Sequence, residues 1–140
     1  MVIMMDELDL RILALLKGDS RAAYTQMGKT LNLSEGAVRL RVKRLIKSGT
    51  IRRFTIELAS DNPRAIVFVS TSPLVPSSRV AEKISKISCV DSVVEVAGQY
   101  DISAVVSGED IRTVNQSVDA IREVEGVQST NTLFVLRSWK

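Results

Sequence analysis

Around Pro63 the hydrophobic period of this chain changes, and that change limits its fold more than any other feature. Upstream the period is helical throughout. Leu8, Ile12, Leu15 and Leu16 share one helical face, with Asp6 placed to cap it and Gly18-Asp19 to end it. A short second helix is predicted over 24–31, followed by a tight turn at Asn32-Leu33, because Asn tolerates the left-handed conformation. Ser34 is a good N-cap for a third helix striped by Val38, Val42, Leu45 and Ile46 and closed by Gly49. Two helices joined by a tight turn and packed on a preceding helix form the helix-turn-helix plan. Residues 51–58, rich in β-branched side chains, read as a wing or a connecting strand. Downstream the order is strand 65–71, helix 78–87, strand 91–97, strand 102–107, helix 110–125 and strand 127–137. Val80, Ile84 and Ile87 form the inner face of the first of these helices, and Ile111, Val114, Val118 and Ile121 that of the second. This β-α-β-β-α-β order is the ferredoxin-like pattern.

The chain is therefore an α+β protein. It has a helix-turn-helix domain over 1–58, a polar linker ASDNPR over 59–64, and a ferredoxin-like domain over 65–140. In such a fold both helices cover one sheet face. Residues 66–69 (IVFV) and 133–136 (LFVL) are apolar on both faces, so the uncovered face exposes an apolar patch that a second copy would bury. A homodimer is expected.

Charge divides along the same boundary. Residues 1–60 hold eleven Lys or Arg against six Asp or Glu, and residues 61–140 hold eight against ten, within a total of +3. From Arg39 to Arg53 there are seven basic residues and no acidic one. A basic run alone usually marks a solvated surface. This one follows a helix, a turn and an N-cap, which favours double-stranded DNA as partner. With the apolar stripe turned inward, Arg39, Arg41, Lys43, Arg44 and Lys47 are expected outside. Ser34, Glu35, Gly36 and Arg39 lie in the N-terminal turns that reach base edges, and the later cations, with Arg52 and Arg53, face phosphates. Replacing Arg39 or Arg41 is expected to weaken DNA binding and leave folding intact.

Other functions find little support. No His and a single Cys89 leave too few parts for a zinc site or a Ser-His or Cys-His catalytic pair, so no metal, cofactor or enzymatic activity is expected. The N-terminus lacks the features of a signal peptide, and no apolar run approaches the ~20 residues that span a bilayer, so a cytoplasmic protein is expected. Strands 91–97 and 102–107 carry no aromatic residue, which argues against base stacking on an RNA-binding sheet. A ligand-independent architectural DNA-binding protein remains the alternative to a ligand-responsive regulator.

The pattern LDLRILALL followed by SEGAVRLRVKRLIKSGTIRRF, with Arg41-Val42, Leu45, Gly49 and Ile51 at matching spacing, resembles the Lrp/AsnC (feast/famine) family of transcriptional regulators, in particular an archaeal member. Gly98-Gln99-Tyr100-Asp101, Gly126-Val127 and a Thr-rich last strand extend the resemblance over nearly the whole chain. Ala23 and Gln26 stand where the family has a Ser cap and a Glu, and Gly28 stands for an Ala, which implies a less stable second helix by roughly 1 kcal/mol. The resemblance implies dimers that associate into octamers, and an amino-acid effector held between subunits. The implied ligand residues are Glu95, Val96, Ala97, Gly98, Gln99, Tyr100, Asp101, Asn115, Asp119, Thr130, Asn131, Thr132, Leu133 and Phe134. Without it, residues 98–101 read as a simple strand-connecting turn. Within the implied site, turn N–H groups suit an α-carboxylate and Asp101 an ammonium group. The hydroxyl and amide groups suit a polar side chain, glutamine first, with asparagine or a basic amino acid also open.

Overall fold

The computed structural model describes residues 4–59 and 61–139. The chain divides into two compact units, with the boundary in sequence between Leu58 and Ala59.

The first unit contains α1 (Glu7–Gly18), α2 (Tyr24–Leu31) and α3 (Glu35–Lys47). Helix α1 opens with a reciprocal cap: the Asp9 N–H donates to Asp6 Oδ1 at 2.8 Å and the Asp6 N–H to Asp9 Oδ2 at 3.2 Å. Ile12 and Leu16 then pack on Met27, Leu31, Val38, Val42 and Leu45. Ser34 caps α3 by accepting the Ala37 N–H at 3.1 Å. Ile46, placed by periodicity in the stripe, is 48% exposed, so the inner face of α3 is narrower than expected.

The turn between α2 and α3 explains a glycine that helix propensity alone marks as a weakness. Asn32 takes the left-handed conformation, with φ 56° and ψ 45°, and the Leu33 N–H donates to the Gly28 carbonyl at 2.8 Å. A Cβ on Gly28 would lie 2.5 Å from the Leu33 carbonyl oxygen. In this chain a Cβ there would force the turn to shift, so Gly28 also serves close packing of the turn, beyond its cost in helix propensity. The expected wing is corrected: residues 51–58 are in no strand, and no ladder partner lies beside them among the described residues. Ile51 is tied down through its N–H to the Leu45 carbonyl at 3.0 Å.

The second unit runs β1 (Arg64–Thr71), α4 (Ser77–Ser85), β2 (Val90–Glu95), β3 (Ile102–Ser107), α5 (Ile111–Arg122) and β4 (Val127–Phe134). The sheet is antiparallel in the order β2-β3-β1-β4, so β2 and β4 are its edges. Ala65, Val67, Val69, Ile102, Ala104 and Val106 point to the helices and form the core with Val80, Ile84, Val114, Val118 and Ile121. Ile111, expected inside, is 60% exposed at the helix start. The last strand stops at Phe134, before the expected Arg137.

The pleat decides which side each remaining residue serves. Opposite the helices, Ile66 sits between Leu133 and Val105, and Phe68 between Asn131 and Ser103. Most of the large side chains on this face are apolar, with Leu133 half exposed and Val94 more than half. Tyr100 lies over it, stacked on Phe68 with ring centroids 5.1 Å apart, and its hydroxyl accepts from Asn131 Nδ2 at 3.0 Å.

Candidate functional site

The cations of the basic run are not equivalent. Lys43, Lys47, Arg52 and Arg53 are exposed and form no ion pair among the described residues. Arg39 is exposed but steadied, donating to Glu35 one turn earlier and lying 5.2 Å from the centre of the Tyr24 ring. Arg41 and Arg44 turn back toward α1. Arg41 Nη1 donates to Asp6 at 2.7 and 2.9 Å and to Asp9 Oδ1 at 2.8 Å, while Arg44 Nη2 donates to the other Asp9 oxygen. The Asp9 side chain is fully buried and that of Arg41 is 23% exposed. The Asp9 N–H first, and then the Arg41 guanidinium, hold the Asp6 carboxyl below the usual carboxylate range. Asp6 first and Asp9 second push Arg41 further up.

Of the seven cations expected to face DNA, Arg41 is therefore mostly covered, while Arg44 reaches Asp9 with a side chain that stays 45% exposed. They fix the third helix on the first. The expected outward placement of Arg41, and with it the expectation that its loss spares folding, is corrected: a long side chain on the flank of a helix reaches a buried carboxylate that periodicity does not show. The signal in the sequence is Asp9 itself, a charged residue one helical turn before Ile12 on the apolar side of α1.

In the second unit, α5 and β4 leave a cleft of about 350 Å³ lined by Asn115, Val118, Asp119, Arg122, Thr132 and Phe134. Arg122 bridges its mouth, donating to Asp119 Oδ1 at 2.9 Å and to Thr130 Oγ1 at 3.1 Å. The Thr132 hydroxyl is buried in its wall and has no hydrogen-bond partner among the described residues. A buried hydroxyl left unpaired is costly and calls for a partner.

Comparison with known proteins assigns both units. An AsnC-type helix-turn-helix domain matches residues 5–46, and the Lrp/AsnC ligand binding domain matches residues 64–140. The chain belongs to the Lrp/AsnC family. It is a transcriptional regulator with a DNA-binding helix-turn-helix and a ligand-binding domain. It is 47% identical over 135 residues to the HTH-type transcriptional regulator LysM of Sulfurisphaera tokodaii, covering 96% of each chain. Among solved structures it is similar to PH0061 (TM-score 0.87, 25% identity, covering 99% of this chain and 97% of that one). It also shares its fold with NMB0573 of Neisseria meningitidis, solved as an L-Met complex (TM-score 0.79, 23% identity, covering 97% and 92%). Among the described residues no helix is long and apolar enough to cross a membrane.

Within this Lrp/AsnC chain the ligand residues implied by the resemblance fall in separate places. Asn115, Asp119, Thr130, Thr132 and Phe134 gather on the helix side of edge strand β4. Asn131, Leu133 and Tyr100 are on the opposite face. Glu95 is on the other edge strand, where it accepts from Ser77 at 2.8 Å. Val96, Ala97, Gly98 and Gln99 are exposed in the β2–β3 turn, which the Val96 N–H closes onto the Asp101 carbonyl at 2.9 Å. The Asp101 carboxylate, expected to hold an ammonium group, braces β1 instead: its Oδ2 accepts from the Thr71 N–H at 2.7 Å and the Thr71 hydroxyl at 3.1 Å. Arg122 is the cleft residue that sequence reasoning missed. Its position one turn after Asp119, on the same helix flank, is the signal that could have found it.

Proposed function

We propose that the chain is an amino-acid-responsive regulator whose effector bridges two copies of its ligand-binding domain. One observation carries this reading: within one chain the implied ligand residues are divided between the helix side of β4, the opposite sheet face and the exposed β2–β3 turn, so no single amino acid touches them all. A second subunit that brings the β2–β3 turn to the α5–β4 cleft would complete the site. The apolar open face of the sheet supplies the surface for a two-fold dimer, and further association of dimers toward an octamer would create the bridged sites. A ligand shifts an assembly equilibrium only through its different affinity for the two states, and a site completed by apposition supplies that difference. The cleft's hydroxyl, amide and carboxylate groups suit a polar α-amino acid, glutamine first. A basic amino acid is the second reading, and it requires Asp119 to exchange its bond from Arg122 for one from the ligand. The protein would act in the cytoplasm, on promoter DNA.

Calorimetric titration with each of the twenty amino acids tests the effector. A polar or basic amino acid is expected to bind. Asp119→Ala should weaken that binding, with a loss of ligand–DNA coupling on the order of 1–3 kcal/mol, while DNA affinity without ligand stays unchanged. Twenty silent titrations would favour the ligand-independent architectural reading, and an Asp119→Ala variant that responds like the parent would rule out the cleft.

For DNA, Lys43, Lys47, Arg52 and Arg53 are the proposed phosphate contacts and Ser34, Glu35, Gly36 and Arg39 the residues nearest base edges. Lys47→Gln should lower the slope of log affinity against log salt by about 0.9. An unchanged slope in both Lys43→Gln and Lys47→Gln would remove these lysines from the interface.

A further inference from the structure

The outer face of α3 carries one large apolar side chain that the described residues leave mostly uncovered. Leu40 is 70% exposed, more than any other apolar residue on this helix, and it lies outside the cluster that packs around Ile12, Met27 and Leu45. Isolated exposed leucines are ordinary on protein surfaces. What sets this one apart is its surroundings.

On a helix, Leu40 shares its face with Gly36 one turn before and with Lys43, Arg44 and Lys47 after. Gly36 has no side chain, and a Cβ there would meet nothing nearer than Ser34 Oγ at 4.0 Å. Arg44 is drawn away to the buried Asp9. Arg39 is drawn the other way, to Glu35 and the Tyr24 ring. The side chains that would otherwise flank Leu40 are thus held off it, while Lys43 and Lys47 remain exposed on the same face. Helix formation does not ask for leucine at this position, since Lys, Gln or Arg would serve about as well.

We infer that Leu40 is a specificity-determining residue of the DNA-binding domain and that it reads the 5-methyl group of a thymine in the major groove. The lysines on its face commit it to a polyanion. A helix seated in the major groove brings its outer face to the base edges, and the thymine methyl is the apolar group exposed there. Removing both apolar surfaces from water favours an A·T pair of one orientation without a hydrogen bond. One methyl group buried in this way is worth about fourfold in affinity.

The test begins with selection of binding sites from randomised duplex DNA by the full-length protein. Each thymine of the selected site is then replaced in turn by deoxyuridine, which keeps the base pair and deletes the methyl group. Fluorescence anisotropy gives the affinity of the parent protein and of Leu40→Ala, an exposed substitution whose folding is checked by circular dichroism. The parent should lose about fourfold at one thymine in each half-site. Leu40→Ala should bind the unmodified site more weakly by a similar factor, lose nothing further at that thymine, and keep the parent's salt slope, since no cation is removed. A parent insensitive to deoxyuridine at every position overturns the role of Leu40 alone. So does a Leu40→Ala variant that still loses the full factor. A selection that enriches no sequence overturns sequence-specific recognition itself and Leu40 with it.

Discussion

Arg41→Ala is expected to destabilise the helix-turn-helix unit by about 3 kcal/mol and to reduce DNA binding chiefly by unfolding it. The substitution removes the guanidinium that links Asp6, at the start of α1, to Asp9 inside the unit. Asp9 is fully buried, and a buried carboxylate deprived of a partner retains its desolvation cost. The value lies at the low end of the range for breaking a buried pair because Arg44 still reaches the second Asp9 oxygen. Urea unfolding of the full chain, followed by helical circular dichroism, measures it. A change below about 0.5 kcal/mol, the level of an ordinary surface substitution, would mean that the clamp does not hold the fold. Acid provides an independent check. The Asp6 carboxyl in the folded chain titrates below its ordinary value of 3.8, so its contribution is complete above that pH and is lost as pH falls through the lowered folded value. The difference between parent and variant should therefore shrink in strongly acidic solution.

The clamp shows where the sequence is legible and where it is not. Helix α2 and strand β3 occupy the residues that period and punctuation assign, because Asn32 and the turn at 98–101 mark their ends chemically. The N-caps at Asp6 and Ser34 are equally local. Residues 51–58 are different. Their β-branched composition favours an extended backbone, but a strand also needs a partner, and a partner is not a property of the segment itself. Arg41 is misplaced by helical periodicity for a similar reason: the angle around α3 puts it off the core, while its length lets it reach Asp9. The effector region divides along the pleat. Alternation along β4 sends Thr130, Thr132 and Phe134 to the helix side and Asn131 and Leu133 to the open face. The family resemblance groups all five, and the two views are compatible only if different surfaces of one subunit serve different neighbours.

Gly28→Ala is expected to destabilise the protein by about 1–3 kcal/mol, the usual cost of overpacking, although alanine is the better helix former by up to 1 kcal/mol. Two opposed effects meet at this position. Inside α2, alanine would restrict the unfolded chain and favour the helix. Against the turn, its Cβ would sit 2.5 Å from the Leu33 carbonyl oxygen, a contact with backbone that no rotamer change relieves. Either the turn opens or α2 tilts. Opening the turn strains the left-handed Asn32 and the Leu33 N–H bond to the Gly28 carbonyl, and tilting α2 withdraws Met27 and Leu31 from the core they share with α3. Both responses move α3, so the variant should also lose affinity for its selected DNA under conditions where it remains folded. Asn32→Gly provides the companion measurement, since glycine accepts the left-handed conformation without touching Leu33 and should cost well under 1 kcal/mol. If urea unfolding finds Gly28→Ala more stable than the parent, the turn is looser than this geometry requires and propensity alone governs α2.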